Sequence, residues 1–170
     1  GKVAVSSLDL GIPKGTVYGL MGRNGSGKST AIKLLLGLLK ADSGTARILG
    51  HELWAASRPV RSRVGYVAQH PQLPGWMNLR DLGRYVSHLY DSWDQKLFET
   101  AADRWELPML QSVGRMSAGE QRKTAVVLAL APQPEVLLLD EPTAGLDSIA
   151  KREFVNLLIE MLADRPSTTI

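Results

Sequence analysis

The sequence has no cysteine among its 170 residues. Disulfides and thiolate metal sites are therefore excluded, and the composition fits a reducing compartment. Long apolar runs are also missing. The longest, Leu34–Leu39 (interrupted by Gly37) and Ala125–Ala131, are far too short to span a bilayer, so the chain is not expected to cross a membrane itself. Gly1–Val5 lacks the apolar core of a signal peptide. Neither sign of charge dominates. Lys and Arg number 20 and Asp and Glu 17, a net +3 with no long basic run, so nucleic acid is not expected as a partner. His51, His70 and His88 lack metal-ligand spacing, and surface or packing roles are expected for them. No repeat or low-complexity segment is present.

The remaining composition, 44% hydrophobic and 22% charged, is that of a soluble globular domain, and 170 residues suffice for one core but not two large ones. Val17–Leu20 is a short apolar run entering a glycine loop and predicts a buried strand. Ser29–Leu39 carries Ile32, Leu35, Leu36 and Leu39 at helical spacing. Arg47–Leu49 and Val64–Val67 predict two further strands. After the turn-rich stretch from Pro71 to Gly75 the pattern becomes helical. One helix is predicted over Leu79–Tyr90. A second runs to about Trp105 behind a capping-box pattern at Ser92–Gln95, and a third runs from Ser117 to Leu130 behind another at Ser117–Glu120. Pro132 and Pro134 stop it. Val136–Asp140 is a continuous apolar strand of the kind found in parallel sheets covered on both faces. Ile149–Ala163 predicts a helix, and Thr168–Ile170 the start of another strand. The fold expected is α/β with a mostly parallel sheet, built from residues 1–74 and 132–170, with residues 75–131 inserted as a helical unit.

Gly22-Arg23-Asn24-Gly25-Ser26-Gly27-Lys28-Ser29 fits G-x-x-x-x-G-K-[ST] at every fixed position. Its glycines let the backbone curl so that successive N–H groups face phosphate oxygens. The helix behind it adds its positive end. Lys28 is placed to reach the β- and γ-phosphates, and the Ser29 hydroxyl to ligate Mg²⁺. A chance match in a chain of this length is on the order of 1%.

Asp140 and Glu141 end an apolar strand, which puts two carboxylates at the sheet edge where ligands bind in open α/β sheets. Asp140 suits a Mg²⁺ role, direct or through water. Glu141 is placed to hold an attacking water as general base. Ser117–Glu120, taken alone, is a helix cap.

Taken together, the phosphate loop, Gln69, Met116-Ser117-Ala118-Gly119-Glu120, Leu137-Leu138-Leu139-Asp140-Glu141-Pro142 and Ala144-Gly145-Leu146-Asp147 resemble the nucleotide-binding domain of ATP-binding cassette (ABC) transporters, over essentially the whole chain. The resemblance implies ATP and Mg²⁺ as ligands. Gly22–Thr30 looks like the Walker A loop and Val136–Asp140 like Walker B, with Glu141 as the catalytic carboxylate. Gln69 resembles the Q-loop glutamine, a contact to Mg²⁺ and water. Residues 116–120 resemble the signature motif, and Ser117, Ala118, Gly119 and Glu120 would then touch the nucleotide held by a second ATPase domain. Asp147 falls at the D-loop aspartate of the same interface. Val5 is expected against the adenine. Met116, Ala118 and Glu120 depart from the usual signature residues, which implies altered affinity.

The family's switch histidine and its adenine-stacking aromatic would lie just outside residues 1–170. The chain is expected to be trimmed at both ends and to hydrolyse ATP weakly. The family partner is a membrane permease, docked through residues 75–90, with Trp76, Met77, Leu79 and Leu82 either docking it or packing in the core. The implied location is cytoplasmic, peripheral on the inner face of the membrane. Leu89–Asp94 and Glu106-Leu107-Pro108 look like bacterial drug-, bacitracin- and acetoin-exporter cassettes, which favours export. DNA-repair ATPases of the same superfamily carry a long coiled coil between Q-loop and signature. Here residues 70–116 leave no room for one. Translation-associated ABC ATPases, with two cassettes in one chain, are the other alternative.

Overall fold

The structure, a computed structural model, describes residues 3–52, 58–163 and 168–170. Helix α1 (Lys28–Leu35) follows the glycine loop. The predicted helix ran on to Leu39, but Gly37, with φ +66°, ends it. Gly37 N–H donates to Leu34 O (3.0 Å) and Leu38 N–H to Lys33 O (2.9 Å), a Schellman cap that satisfies the last carbonyls. Strand β1 (Arg47–Ile48) then turns back on β2 (His51–Glu52), a partner the sequence did not reveal. The turn between them puts Leu49 at φ +52° and Gly50 at φ +80°, the hairpin geometry with two left-handed residues. A short helix α2 (Arg58–Arg61) leads into β3 (Val64–Val67).

Strand β4 (Val136–Leu139) pairs with β3 in parallel, from Val64 opposite Val136 to Val67 opposite Leu139. On the other side of β4, Leu137 N–H donates to Thr169 O (2.7 Å) and Thr169 N–H to Glu135 O (2.8 Å). Beyond that, Ile170 bonds to Thr16 (2.9 Å) and Tyr18 (2.8 Å), the pattern of a parallel pair. The predicted buried strand at Val17–Leu20 is corrected here. Val17 is 79% and Met21 93% exposed, because Ile170 is the only neighbour this segment finds among the described residues and the ladder stops after two bonds.

Between β3 and β4 the chain is helical. Helix α3 (Leu79–Ser87) is capped by Asn78, whose side chain accepts from Asp81 N–H at 2.9 Å. It ends short of the expected Tyr90. Helix α4 (Gln95–Arg104) is capped by Asp94, which accepts from Leu97 N–H at 2.8 Å. The cap expected at Ser92 is thus displaced by two residues, to Asp94, where Leu97 at the third position cannot complete a capping box. The Ser92 hydroxyl donates instead to Pro132 O (3.0 Å), tying the helix entry to the far end of the insert. A 3₁₀ turn (Val113–Arg115) precedes α5 (Ala118–Leu130). After β4, α6 (Ser148–Ala163) packs Phe154 and Met161 inward.

One hydrophobic cluster joins these layers. Val67 and Leu137 from the sheet meet Leu79, Leu82, Phe98, Trp105, Val126, Val127, Leu130 and Phe154. Full burial of each large side chain contributes roughly 1.5–3 kcal/mol. The Trp105 and Phe154 rings pack at a tilt of 49° with centroids 5.7 Å apart. Gly83 of α3 is small because the Phe98 ring occupies the space where a Cβ would stand. A smaller cluster, Ile48 and Val60 with Leu35, Val64 and Leu138, lies under the hairpin. Leu79 and Leu82 are core residues, which removes them from any docking surface, whereas Trp76 is 79% exposed.

Candidate nucleotide-binding site

The glycine loop is built by two left-handed residues. Gly25 has φ +80° and Gly27 φ +94°. A side chain at either is strained by the backbone alone. Ser26 N–H closes the turn on Arg23 O at 3.1 Å. A Cβ on Gly22 would stand 2.6 Å from Ser26 Oγ, so a side chain there would have to turn the Ser26 hydroxyl aside. A Cβ on Gly27 would collide with Ala4 O and lie 3.1 Å from Val5 Cγ2, which places Val5 beside the loop. Asn24 sits exposed at the tip, and Thr30 half-buried in the first turn of α1. No side chain caps α1 at Gly27, so its first-turn N–H groups are left to an outside acceptor.

Lys28 folds back over this loop. Its Nζ donates to Gly22 O (2.9 Å) and Arg23 O (3.2 Å) and lies 3.6 Å from Glu141 Oε1. Ser29 Oγ donates to Asp140 Oδ1 at 3.0 Å, across the gap between α1 and the end of β4. Asp140 is buried, and its N–H donates to Val67 O (2.9 Å), so it stands where β4 leaves β3. Burial pushes the nearby Tyr66 phenol up, and the Asp140 charge adds to the shift. Gln69 Nε2 donates to Glu141 Oε2 at 2.7 Å. Glu141 itself has φ +46°, a conformation that costs a non-glycine residue about 1–3 kcal/mol. The geometry therefore brings Lys28, Ser29, Gln69, Asp140 and Glu141 to one sheet edge.

The donor set fits Mg²⁺. Ser29 and Asp140 offer two hard oxygens side by side. Among the described residues no group of three His, Cys, Asp or Glu could form an all-protein cage. Mg²⁺ ordinarily uses one or two protein oxygens plus phosphates and water.

Ser117 caps α5, and Ala118, Gly119 and Glu120 form its first turn. Among the described residues no hydrogen bond or ion pair joins them to the glycine loop. The capping box read from the sequence is present: Glu120 N–H donates to Ser117 Oγ (3.2 Å), and Ser117 N–H to Glu120 Oε2 (2.7 Å). The bonds from Ser117 hold the Glu120 carboxyl below its usual range. Gly119 lies against Leu146, whose Cδ2 would be 3.8 Å from a Cβ there. Asp147 caps α6, accepting from Ile149 N–H (2.9 Å) and Ala150 N–H (3.0 Å). The N–H of Ala150, then that of Ile149, lower its pKa.

One residue escaped the sequence reading. Arg122, in the second turn of α5, is buried, and its Nη2 donates to Gln69 O at 3.3 Å. The available signal was its place on the same stripe as Val126 and Leu130, four and eight residues on.

The ABC transporter family model matches residues 5–144. The chain is 33% identical over 182 residues to the daunorubicin/doxorubicin resistance ATP-binding protein DrrA of Streptomyces peucetius, covering 100% of this chain and 53% of that one. It is 36% identical over 167 residues to the Nod factor export ATP-binding protein I of Sinorhizobium fredii, covering 95% and 49%. The chain thus spans about half the length of the curated relatives it matches. Among solved structures it superposes on cbiO1 from Clostridium perfringens, part of the ABC transporter complex cbiONQ, with TM-score 0.81 and 28% identity, over 98% of this chain and 70% of that one. The family model spans most of the sequence, including the glycine loop, the β4 carboxylates and the Ser117 helix start, and the chain belongs to the ABC transporter family.

Proposed function

We propose that this chain is the ATP-binding part of an ABC transporter, turning ATP binding and hydrolysis into movement of a substrate through a membrane permease. The observation that carries the reading is the meeting of Ser29 with Asp140 (3.0 Å) and of Glu141 with both Gln69 (2.7 Å) and Lys28 (3.6 Å) at the mouth of the glycine loop. In this reading residues 22–30 hold the phosphates, and Val5 contributes to the adenine side. Ser29, Asp140 and Gln69 would hold Mg²⁺, which would draw charge off the phosphate oxygens. Glu141 orients water and accepts its proton. For that, Lys28 leaves Glu141 and turns to the phosphates, so nucleotide entry itself frees the base.

Ser117, Ala118, Gly119, Glu120 and Asp147 serve the nucleotide of a second ATPase domain in a head-to-tail pair. The free end of a capped helix suits a γ-phosphate presented from outside. Residues 1–74 and 132–170 act as the ATP-binding core and 75–131 as the helical unit facing the permease, where Trp76 is the exposed apolar anchor. The protein then works at the cytoplasmic face of the membrane as a peripheral subunit; no helix of the described residues is long and apolar enough to cross it. The relatives named for drug resistance and Nod factor export support export as the direction. A non-transport ATPase with a coiled-coil arm gains no support, since α3 and α4 are only 9 and 10 residues long.

Calorimetric titration with ATP and Mg²⁺ tests the reading. Saturable binding below about 1 mM is expected, weakened at least tenfold in Lys28→Ala. No heat of binding in the wild type would overturn it.

A further inference from the structure

Arg122 is hard to explain as a stabilising residue. Its side chain is buried, at 6% exposure, yet its guanidinium makes one long hydrogen bond, 3.3 Å to Gln69 O, and its Nε has no partner. No acid pairs with it among the described residues. A buried cation without a counter-ion costs stability, and an apolar side chain of similar length would fill the space without that penalty. What the guanidinium does achieve is positional. It spans from α5, one turn past Ser117, to the backbone of the residue whose side chain holds Glu141. The bond is to the main chain, so it fixes where the Gln69 side chain starts without engaging its amide.

We propose that Arg122 is a positioning residue for Gln69. It sets the distance at which the Gln69 amide meets Glu141 and, on the ATP reading above, on which this inference rests, the γ-phosphate region. In this role Arg122 acts through Gln69 alone. Its effect falls more on ATP than on ADP, because Mg²⁺ comes with either nucleotide while the γ-phosphate region beside the Gln69 amide is filled by ATP alone.

Equilibrium binding of a non-hydrolysable ATP analogue and of ADP, each with Mg²⁺, tests this in wild type, Arg122→Met, Arg122→Lys, Gln69→Ala and the Gln69→Ala, Arg122→Met double variant. Arg122→Met is expected to melt no lower than wild type and to bind ADP within twofold. It should bind the ATP analogue about five- to tenfold more weakly. Arg122→Lys, a donor without the planar fork, should recover part of that loss. In the Gln69→Ala background, where the hydrogen bond survives but the amide is gone, Arg122→Met should change nothing further. Equal weakening of both nucleotides, or an undiminished effect of Arg122→Met on top of Gln69→Ala, overturns the proposal. If Arg122→Met fails to fold, Arg122→Lys carries the test: a two- to threefold loss confined to the ATP analogue supports positioning, and an equal loss for both refutes it. A wild-type protein that binds neither nucleotide removes the ATP reading, and this inference with it. Wild-type binding with no selective loss in the variants removes the inference alone.

Discussion

The Gln69 amide donates to one carboxylate oxygen of Glu141 at 2.7 Å, closing a bridge between the end of β3 and the residue after Asp140. Lys28 lies 3.6 Å from the other oxygen. Glu141 is thus held from two sides, by a neutral donor and by a cation.

Glu141→Gln follows directly. Glutamine keeps the shape and can still meet Gln69, but it cannot accept a proton from water and has no charge to pair with Lys28. ATP hydrolysis should fall by ~10²–10⁴-fold while ATP binding stays within a few-fold of wild type. In a protein extended to the length of its relatives, the variant should run as a dimer on gel filtration with ATP and Mg²⁺. A monomer there counts against Glu141 as the base.

Gly83→Ala tests the α3–α4 contact. The added methyl meets the Phe98 ring, and both helices are fixed in the core. Overpacking of this kind should cost about 1–3 kcal/mol, read as a lower urea midpoint with unchanged slope. Combined with Phe98→Leu, the alanine should cost much less than alone, since the colliding atoms are gone.

Ser117→Ala should destabilise by about 1 kcal/mol through the lost cap of α5, and Ser117→Gly by only a few tenths. Thermal melts of the two variants separate capping from any role in nucleotide contact. A glycine variant with near-native stability that fails to support ATP-driven pairing assigns Ser117 to the interface.

The stability of the β3–β4 edge should depend on pH through Glu135. Its carboxylate accepts from Arg63 (2.6 Å) and Lys14 (3.1 Å), and these bonds, Arg63 first, lower its pKa from 4.5 to about 2. A carboxyl lowered in the folded state stabilises above its unfolded pKa, and that contribution disappears as the pH falls through its folded pKa. Melting temperature should therefore drop between about pH 4.5 and pH 2. Glu135→Gln should flatten the slope in that window and change little at pH 7, because the ion pairs are solvent-accessible and screened. An unchanged slope in the variant would place the acid sensitivity elsewhere.

The parts of the fold that could be read from the sequence were those set by local rules. Val64–Val67 and Val136–Leu139 are apolar and bounded by turn residues, and both are strands. Ser117 and Glu120 stand three apart before an apolar run, and they form the cap. What escaped depended on partners distant in sequence. Val17–Leu20 has strand-like residues but, among the described residues, bonds its backbone only to Ile170. Ser92 and Asp94 are both competent N-caps, and the choice between them rests on Pro132, forty residues on, which takes the Ser92 hydroxyl. Leu79 and Leu82 fit a docking face and a core equally well until Phe98 and Val126 are placed beside them. At the candidate site the residue types were legible, from Gly22 to Glu141. The Arg122 bond to Gln69 was not, because nothing in a buried stripe tells which way a lone arginine points.

The left-handed backbone at Glu141 bears on how this sequence can drift. Asparagine, aspartate and above all glycine enter that conformation more readily than glutamate. Wherever the carboxylate is no longer selected for, folding alone favours its loss, and the replacement comes with a gain in stability. Copies of such a domain that have become silent should therefore carry glycine or asparagine at this position more often than chance, and restoring glutamate there should make them measurably less stable.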